Sequence, residues 1–189
     1  MMSRTTAPIY QVKITLKHSK PPIWRRLLIS SETTLAQLHN IIQVAMGWYD
    51  SHLHMFRIHN ENYSIPYAED HLIELDARDS RRVKLSKLIT AAGEKFAYEY
   101  DFGDFWEHDI LIEKILPPDP KQKLPVCIKG KRACPPEDVG GVWGYDTFLE
   151  ALHDPQHPEH EMYTEWIDGE FDPEAFDLDA VNRVLRTLK

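Results

Sequence analysis

Cysteine is scarce, with two in 189 residues, and no apolar run reaches the roughly eighteen residues that a membrane-crossing helix needs. The first fact excludes the disulfide framework of small secreted domains, and the second excludes an α-helical span. The opening residues lack the apolar segment of a signal peptide, so the expectation is a cytoplasmic protein with reduced thiols. Familiar catalytic signatures are missing as well. There is no Gly-x-Ser-x-Gly elbow and no phosphate-binding Gly-Lys-Ser/Thr loop. Asp101-Phe-Gly103 matches the kinase metal-binding triplet by accident, because the motifs that accompany it in kinases are absent. Basic charge is thin in one half only. Residues 1–95 carry 13 Lys+Arg against 9 Asp+Glu, whereas residues 96–189 carry 9 against 21. An acidic half disfavours nucleic-acid binding over the whole surface but leaves one basic face open to it.

What is present suffices for a core: 42% of the residues are hydrophobic and 11% aromatic. The centre of the pattern is the stretch from Phe96 to Ile115, two apolar-rich runs about Asp101-Phe-Gly-Asp104. It reads as a β-hairpin whose Gly103 supplies a positive φ at the turn. Ile9–Leu16 alternates with period two, and Ile23–Ile29 reads as its antiparallel return across Pro21-Pro22. Thr34 is among the hydroxyls placed to cap a helix over Leu35–Gly47, with Leu35, Leu38, Ile42, Ala45 and Met46 on one face. A strand follows, in which His52, His54 and Phe56 alternate with Leu53, Met55 and Arg57. Residues 66–82 read as a surface excursion, and Val83–Ala92 as a short helix stopped by Gly93. Helices are expected over Tyr145–Leu152, over Glu159–Ile167 and after Asp177, where Leu178, Val181, Leu185 and Leu188 form a stripe.

The expectation is one α+β domain over 1–189: an antiparallel or mixed β-sheet with a helix on one face. Its strand-rich core covers about 9–134 and its helical, acidic C-terminal part about 145–188.

Several segments together resemble one family. They are Pro21–Arg26, Leu38-His39, Met46-Gly-Trp48, His52–Phe56, Tyr98–His108 and Cys134–Asp138. Gly140-Gly141, Gly144-Tyr145, Asp154-Pro155, His160 and Phe171–Pro173 complete the set. In order and spacing the set resembles the plasmid pRiA4b ORF-3-like family, some members of which are labelled transposon passenger, TnpR-family, proteins. The resemblance implies a protein carried by plasmids and other mobile elements and names no activity. It places no catalytic serine or tyrosine here.

The residues themselves suggest several chemistries. His52 and His54 form a His-x-His that puts two imidazoles on one sheet face, and Asp101, Asp104 and His108 lie close in sequence. If the two strands neighbour each other, these five make a mixed N/O site for Zn²⁺, Mn²⁺ or Fe²⁺, with Glu137 or Asp138 as acid or base, and the alternative function is then a metal-dependent hydrolase or nuclease. The competing reading is that Asp101 and Asp104 serve the turn through Asx hydrogen bonds while the histidines pack on core aromatics.

A groove of Trp24, Trp48, Tyr98, Tyr100, Asp101, Asp104, Trp106, Trp143 and Tyr145 would bind a protein segment or basic ligand without catalysis, and this is the leading functional expectation. The loop from Cys134 to Gly144 is read either as an anion- or cation-binding element or as a rigid loop burying Trp143 and Tyr145. Cys127 and Cys134 face each other if Gly130-Lys131 is a hairpin loop. They are then free thiols, a cross-strand disulfide, or half of a metal site completed by His153, His157 or His160. Arg25, Arg26, Arg78, Arg81, Arg82, Lys84 and Lys87 offer phosphate contacts, with Trp24 and Trp48 for stacking, or else salt bridges and cation–π pairs to the acidic half.

Overall fold

In a computed structural model the chain is described over residues 7–67, 71–167 and 169–188, so the first six residues and part of the 66–82 excursion lie outside the described residues. The strands are β1 (Ile9–Leu16), β2 (Trp24–Ser30), β3 (His54–Ile58), β4 (Glu61–Ser64), β5 (Ala77–Asp79), β6 (Lys95–Tyr100), β7 (Trp106–Leu116) and β8 (Val126–Lys131). They form one sheet in the order β5-β4-β3-β6-β7-β1-β2-β8. Every pairing is antiparallel except β4 with β5, so the sheet is mixed and the fold α+β. The helices are α1 (Leu35–Met46), α2 (His71–Glu74), α3 (Leu85–Leu88), α4 (Gly141–His153), α5 (His160–Trp166) and α6 (Leu178–Leu185).

Alternation decides which face is covered. Val12, Ile14 and Leu16 of β1, Ile110 and Ile112 of β7, and Tyr98 and Tyr100 of β6 are buried in a core shared with Leu35, Leu38, Ile42 and Ala45 of α1. Burying a side chain of this size contributes about 1.5–3 kcal/mol. The other face carries polar partners: Arg26 grips Glu113 with two hydrogen bonds of 2.6 and 2.7 Å, and Gln11 donates to the same carboxylate at 2.7 Å.

α1 begins and ends on local chemistry. Thr34 and Gln37 form a reciprocal capping box, and Gly47 closes the helix in the left-handed region at φ 109°. At the sheet edge, Asn182 of α6 accepts from the Cys127 N–H and donates to the Cys127 carbonyl, both at 2.8 Å. At Cys127 the edge backbone of β8 is thereby satisfied by a helix rather than left open to pairing.

Two local expectations are corrected. The hairpin turn does not use Gly103 for its positive φ; Asp101 (58°) and Phe105 (54°) take that conformation. Aspartate tolerates it because its short side chain bonds locally, here Oδ1 accepting from the Gly103 N–H at 2.8 Å. Nor do Gly130-Lys131 turn a hairpin. β8 runs straight through them, pairing Arg25 with Gly130 and Trp24 with Lys131. Glycine is required there because a Cβ would strike the Phe176 ring. Cys134 therefore lies beyond the strand rather than opposite Cys127, and both thiols are free.

Three imidazoles, His39, His54 and His108, are fully buried in this core. Burial pushes the His108 pKa down to about 4 from 6.5, because the charged form would lose its water. A depressed histidine leaves the unfolded chain binding more protons, so its stability contribution is full above pH 6.5 and lost as pH falls toward 4. Chemical denaturation across that window is expected to show a loss of about 3 kcal/mol on this account. A flat profile would contradict a neutral, buried His108.

Candidate metal centre at the mouth of the sheet

Three segments distant in sequence meet at one end of the sheet: residues 47–53 leaving α1, the 101–105 turn and the 134–141 loop. The first is fixed through its own backbone. The Tyr49 N–H donates to Glu137 Oε1 at 2.9 Å, the Ser51 N–H to the Tyr100 hydroxyl at 2.9 Å, and the Asp101 N–H to the Leu53 carbonyl at 2.8 Å. The 134–141 loop is fixed in turn. Glu137 Oε1 also accepts the Tyr100 hydroxyl at 2.7 Å, the Trp48 indole donates to the Pro135 carbonyl at 3.1 Å, and the Gly140 N–H donates to Asp104 Oδ2 at 3.0 Å. Gly141, at φ 70°, lies so close to the Asp104 carbonyl that a Cβ would collide with it. Burial and the bond to Glu137 both raise the Tyr100 pKa, so its phenol remains a donor.

These contacts converge on His52, Asp101 and Asp138. One ligand atom from each lies within 4.8 Å of the others, the only such cluster among the described residues. His52 Nε2 is 3.1 Å from Asp138 Oδ1 and 3.7 Å from Asp101 Oδ2. That nitrogen is sealed from solvent yet makes no hydrogen bond. Two carboxylates converging on one imidazole nitrogen make a place for positive charge, which a proton or a divalent metal supplies. At metal–ligand distances of about 2.0–2.2 Å, neighbouring ligands stand about 3.0–3.5 Å apart; the His52–Asp138 distance falls in that range, and the His52–Asp101 distance of 3.7 Å lies just outside it. Asp101 keeps Oδ2 for the cluster while Oδ1 serves the turn. Asp138 stands on the open side, with a side chain 68% exposed.

The His-x-His strand does lie beside the hairpin, β3 pairing with β6, but its two imidazoles part company. His54 enters the core and stacks on His39 at 3.5 Å, while His108 packs edge-on against Trp48. Neither reaches the cluster, because both sit on the helix-covered face. Asp104 caps Gly140 instead of joining it. The aromatic groove is not formed by the residues expected: Trp48, Tyr98, Tyr100, Trp106 and Tyr145 are core. Trp24 packs under Lys13 and Arg26 on the open sheet face, and Trp143 alone of the set is fully exposed. The aromatics that do reach solvent at the mouth are Tyr49, Phe105 and Trp143.

Helical spacing also marks one polar core residue on the buried stripe of α1. His39, four residues after Leu35, is buried with Nδ1 2.8 Å from the Tyr98 hydroxyl and Nε2 2.7 Å from Asp50 Oδ1. The basic residues are largely engaged. Arg25 is buried against the Ala45, Trp24 and Lys131 carbonyls, and Arg78, Arg81 and Lys84 pair with Glu61, Asp79 and Glu32. Arg82 and Lys87 are exposed. His160 donates its Nδ1–H to the Ala151 carbonyl, 2.7 Å away, and no cysteine–histidine cluster forms among the described residues.

Fold and site thus define an α+β protein of one mixed eight-stranded sheet with a histidine–carboxylate cluster at its mouth. The chain belongs to the family of plasmid pRiA4b ORF-3-like proteins, which it matches over residues 8–180. It is 39% identical over 184 residues to the uncharacterized protein y4hQ of Sinorhizobium fredii (strain NBRC 101917 / NGR234), covering 96% of this chain and 93% of that one. It is also similar to the crystal structure of MM3350, a protein of unknown function from Methanosarcina mazei Go1. That match has a TM-score of 0.84 and 35% identity, covering 94% of this chain and 98% of that one. No helix among the described residues is long and apolar enough to cross a membrane.

The loop geometry makes a test available. Gly93 (φ 92°) has open space around it, whereas Gly141 combines positive φ with the Asp104 carbonyl. Gly93→Ala is expected to cost about 1 kcal/mol of backbone strain, and Gly141→Ala about 2–4 kcal/mol. The thermal midpoint should therefore fall by several degrees more for Gly141→Ala. Equal shifts would show that the loop does not press on the turn as described.

Proposed function

We propose that the protein binds a divalent transition-metal ion through His52, Asp101 and Asp138 and acts on a ligand brought to it, with hydrolysis as the reaction class. The observation that carries this reading is the convergence of three ligand atoms within 4.8 Å on the open end of the sheet. Three protein ligands with one side exposed correspond to a catalytic-type site that keeps coordination positions open, not to a closed structural one. A nitrogen with two carboxylate oxygens suits Zn²⁺, Mn²⁺ or Fe²⁺. A metal bound there would lower the pKa of its water toward neutrality. The chain's own part is to hold the ligands still: Leu53 anchors the Asp101 backbone, and Glu137, the residue before Asp138, is tied to Tyr49 and Tyr100.

A binding module without chemistry is the second reading. It is favoured by the exposure of Tyr49 (84%) and Phe105 (60%) on the same segments and of Trp143 (81%) just after the third. Phosphate binding by the basic N-terminal half has weaker support, since most of its cations already hold carboxylates or carbonyls.

Elemental content per chain, after purification without chelator, tests the metal reading. Near-stoichiometric zinc, manganese or iron is expected in the wild type, with loss in His52→Ala and Asp138→Asn at unchanged thermal stability. Metal-free wild type that takes up none of the three on addition would overturn the reading.

A further inference from the structure

The surface around the His52–Asp101–Asp138 mouth combines exposed aromatic rings with acidic residues. Among the described residues five aromatics are exposed: Tyr49, Tyr67, Phe105, Trp143 and Trp166. Two of them, Tyr49 and Phe105, sit in segments that build the cluster, and Trp143 follows the third segment in the first turn of α4. Phe105 donates its N–H to the Asp101 carbonyl at 2.7 Å, and Tyr49 donates to Glu137 beside Asp138. Trp143 stands two residues after Gly141, which abuts Asp104. Exposed apolar side chains that gather at one place, unlike single scattered ones, mark a contact surface.

The charge around these rings has one sign. Residues 47–53, 101–106 and 134–146 contain no lysine or arginine and carry Asp50, Asp101, Asp104, Glu137, Asp138 and Asp146. A divalent ion cancels two of these charges and leaves the mouth negative. Such a mouth repels a phosphate backbone and attracts cations, which aromatic faces also hold through their ring quadrupoles.

We propose that the mouth takes a basic polypeptide segment, with lysine or arginine side chains lying across Phe105 and Trp143 and their charges facing the carboxylates. This rests on the metal reading in taking the His52–Asp101–Asp138 end as the working end of the protein. It makes the substrate class a cationic peptide and not a nucleic acid.

The test uses the full chain loaded with metal and a fluorescein-labelled Arg-Gly repeat peptide, followed by anisotropy at low and at physiological salt. A Glu-Gly repeat peptide and an oligo-dT strand serve as comparison probes. The Arg-Gly peptide should bind, and the other two should not. In Phe105→Ala/Trp143→Ala, which alters no charge and only exposed side chains, its affinity should fall about tenfold. Metal uptake by that variant, measured by calorimetry, should be unchanged, since neither residue is a ligand. No binding of the Arg-Gly peptide, equal affinity in the double variant, or preference for oligo-dT would overturn the proposal. Because metal uptake is read separately, a wild type that takes no metal refutes the metal reading, whereas a metal-loaded protein that ignores the peptide refutes this one.

Discussion

One carboxylate joins the pieces of the mouth. Glu137 Oε1 accepts both the Tyr100 hydroxyl from β6 and the Tyr49 N–H from the exit of α1. Those groups come from chain positions 37 and 88 residues away, and nothing in local propensity would bring them together. Charge-assisted hydrogen bonds to a carboxylate are stronger than neutral ones, and here two of them fix the loop that presents Asp138. Asp104 does the same from the other side through the Gly140 N–H. The acidic residues at this end therefore divide the work. Some hold the backbone, and Asp101 and Asp138 are left to face His52.

Beneath the mouth the core is unusually polar for a helix-on-sheet interface. The Tyr98 hydroxyl meets His39 and Gln43, and Gln43 in turn accepts the Asp50 N–H at 2.9 Å. Buried polar groups are costly unless bonded, and these satisfy one another. The consequence is mechanical: the exit of α1, with Asp50 at φ 58°, is tied to the sheet floor by the same network that fills the core. His54, stacked on His39, belongs to this floor. The residue two positions earlier, His52, belongs to the mouth, because β3 begins at His54 and the chain before it bends out of the pleat.

What was legible in the sequence was periodic. The alternation of Ile9–Leu16, the stripe through Leu35, Leu38 and Ile42, the Thr34 cap and the Asp177 cap all describe local structure, and each stands in the fold. The hairpin about Asp101–Asp104 was legible for the same reason. The site was only partly so. His52 and Asp101 could be named because they flank two legible strands, β3 and β6, that pair with each other, but Asp138 comes from a loop whose docking depends on Glu137, Gly140 and Gly141. The aromatics misled because their number signals burial as readily as display: Tyr98, Tyr100 and Trp106 alternate onto the core face, while Phe105, at positive φ in the turn, is the one turned outward. The Cys127–Cys134 pairing failed on a single glycine. Gly130 allows close packing under Phe176 rather than a turn.

The central claim is that His52, Asp101 and Asp138 are arranged for a metal and not for a protonated imidazole between two acids. Crystals grown with Mn²⁺ and measured for anomalous scattering decide this most directly. The account predicts a peak bonded to His52 Nε2, Asp101 Oδ2 and Asp138 Oδ1 at about 2.0–2.2 Å, with water completing the coordination. An empty centre, with His52 Nε2 hydrogen-bonded directly to Asp138, would contradict it.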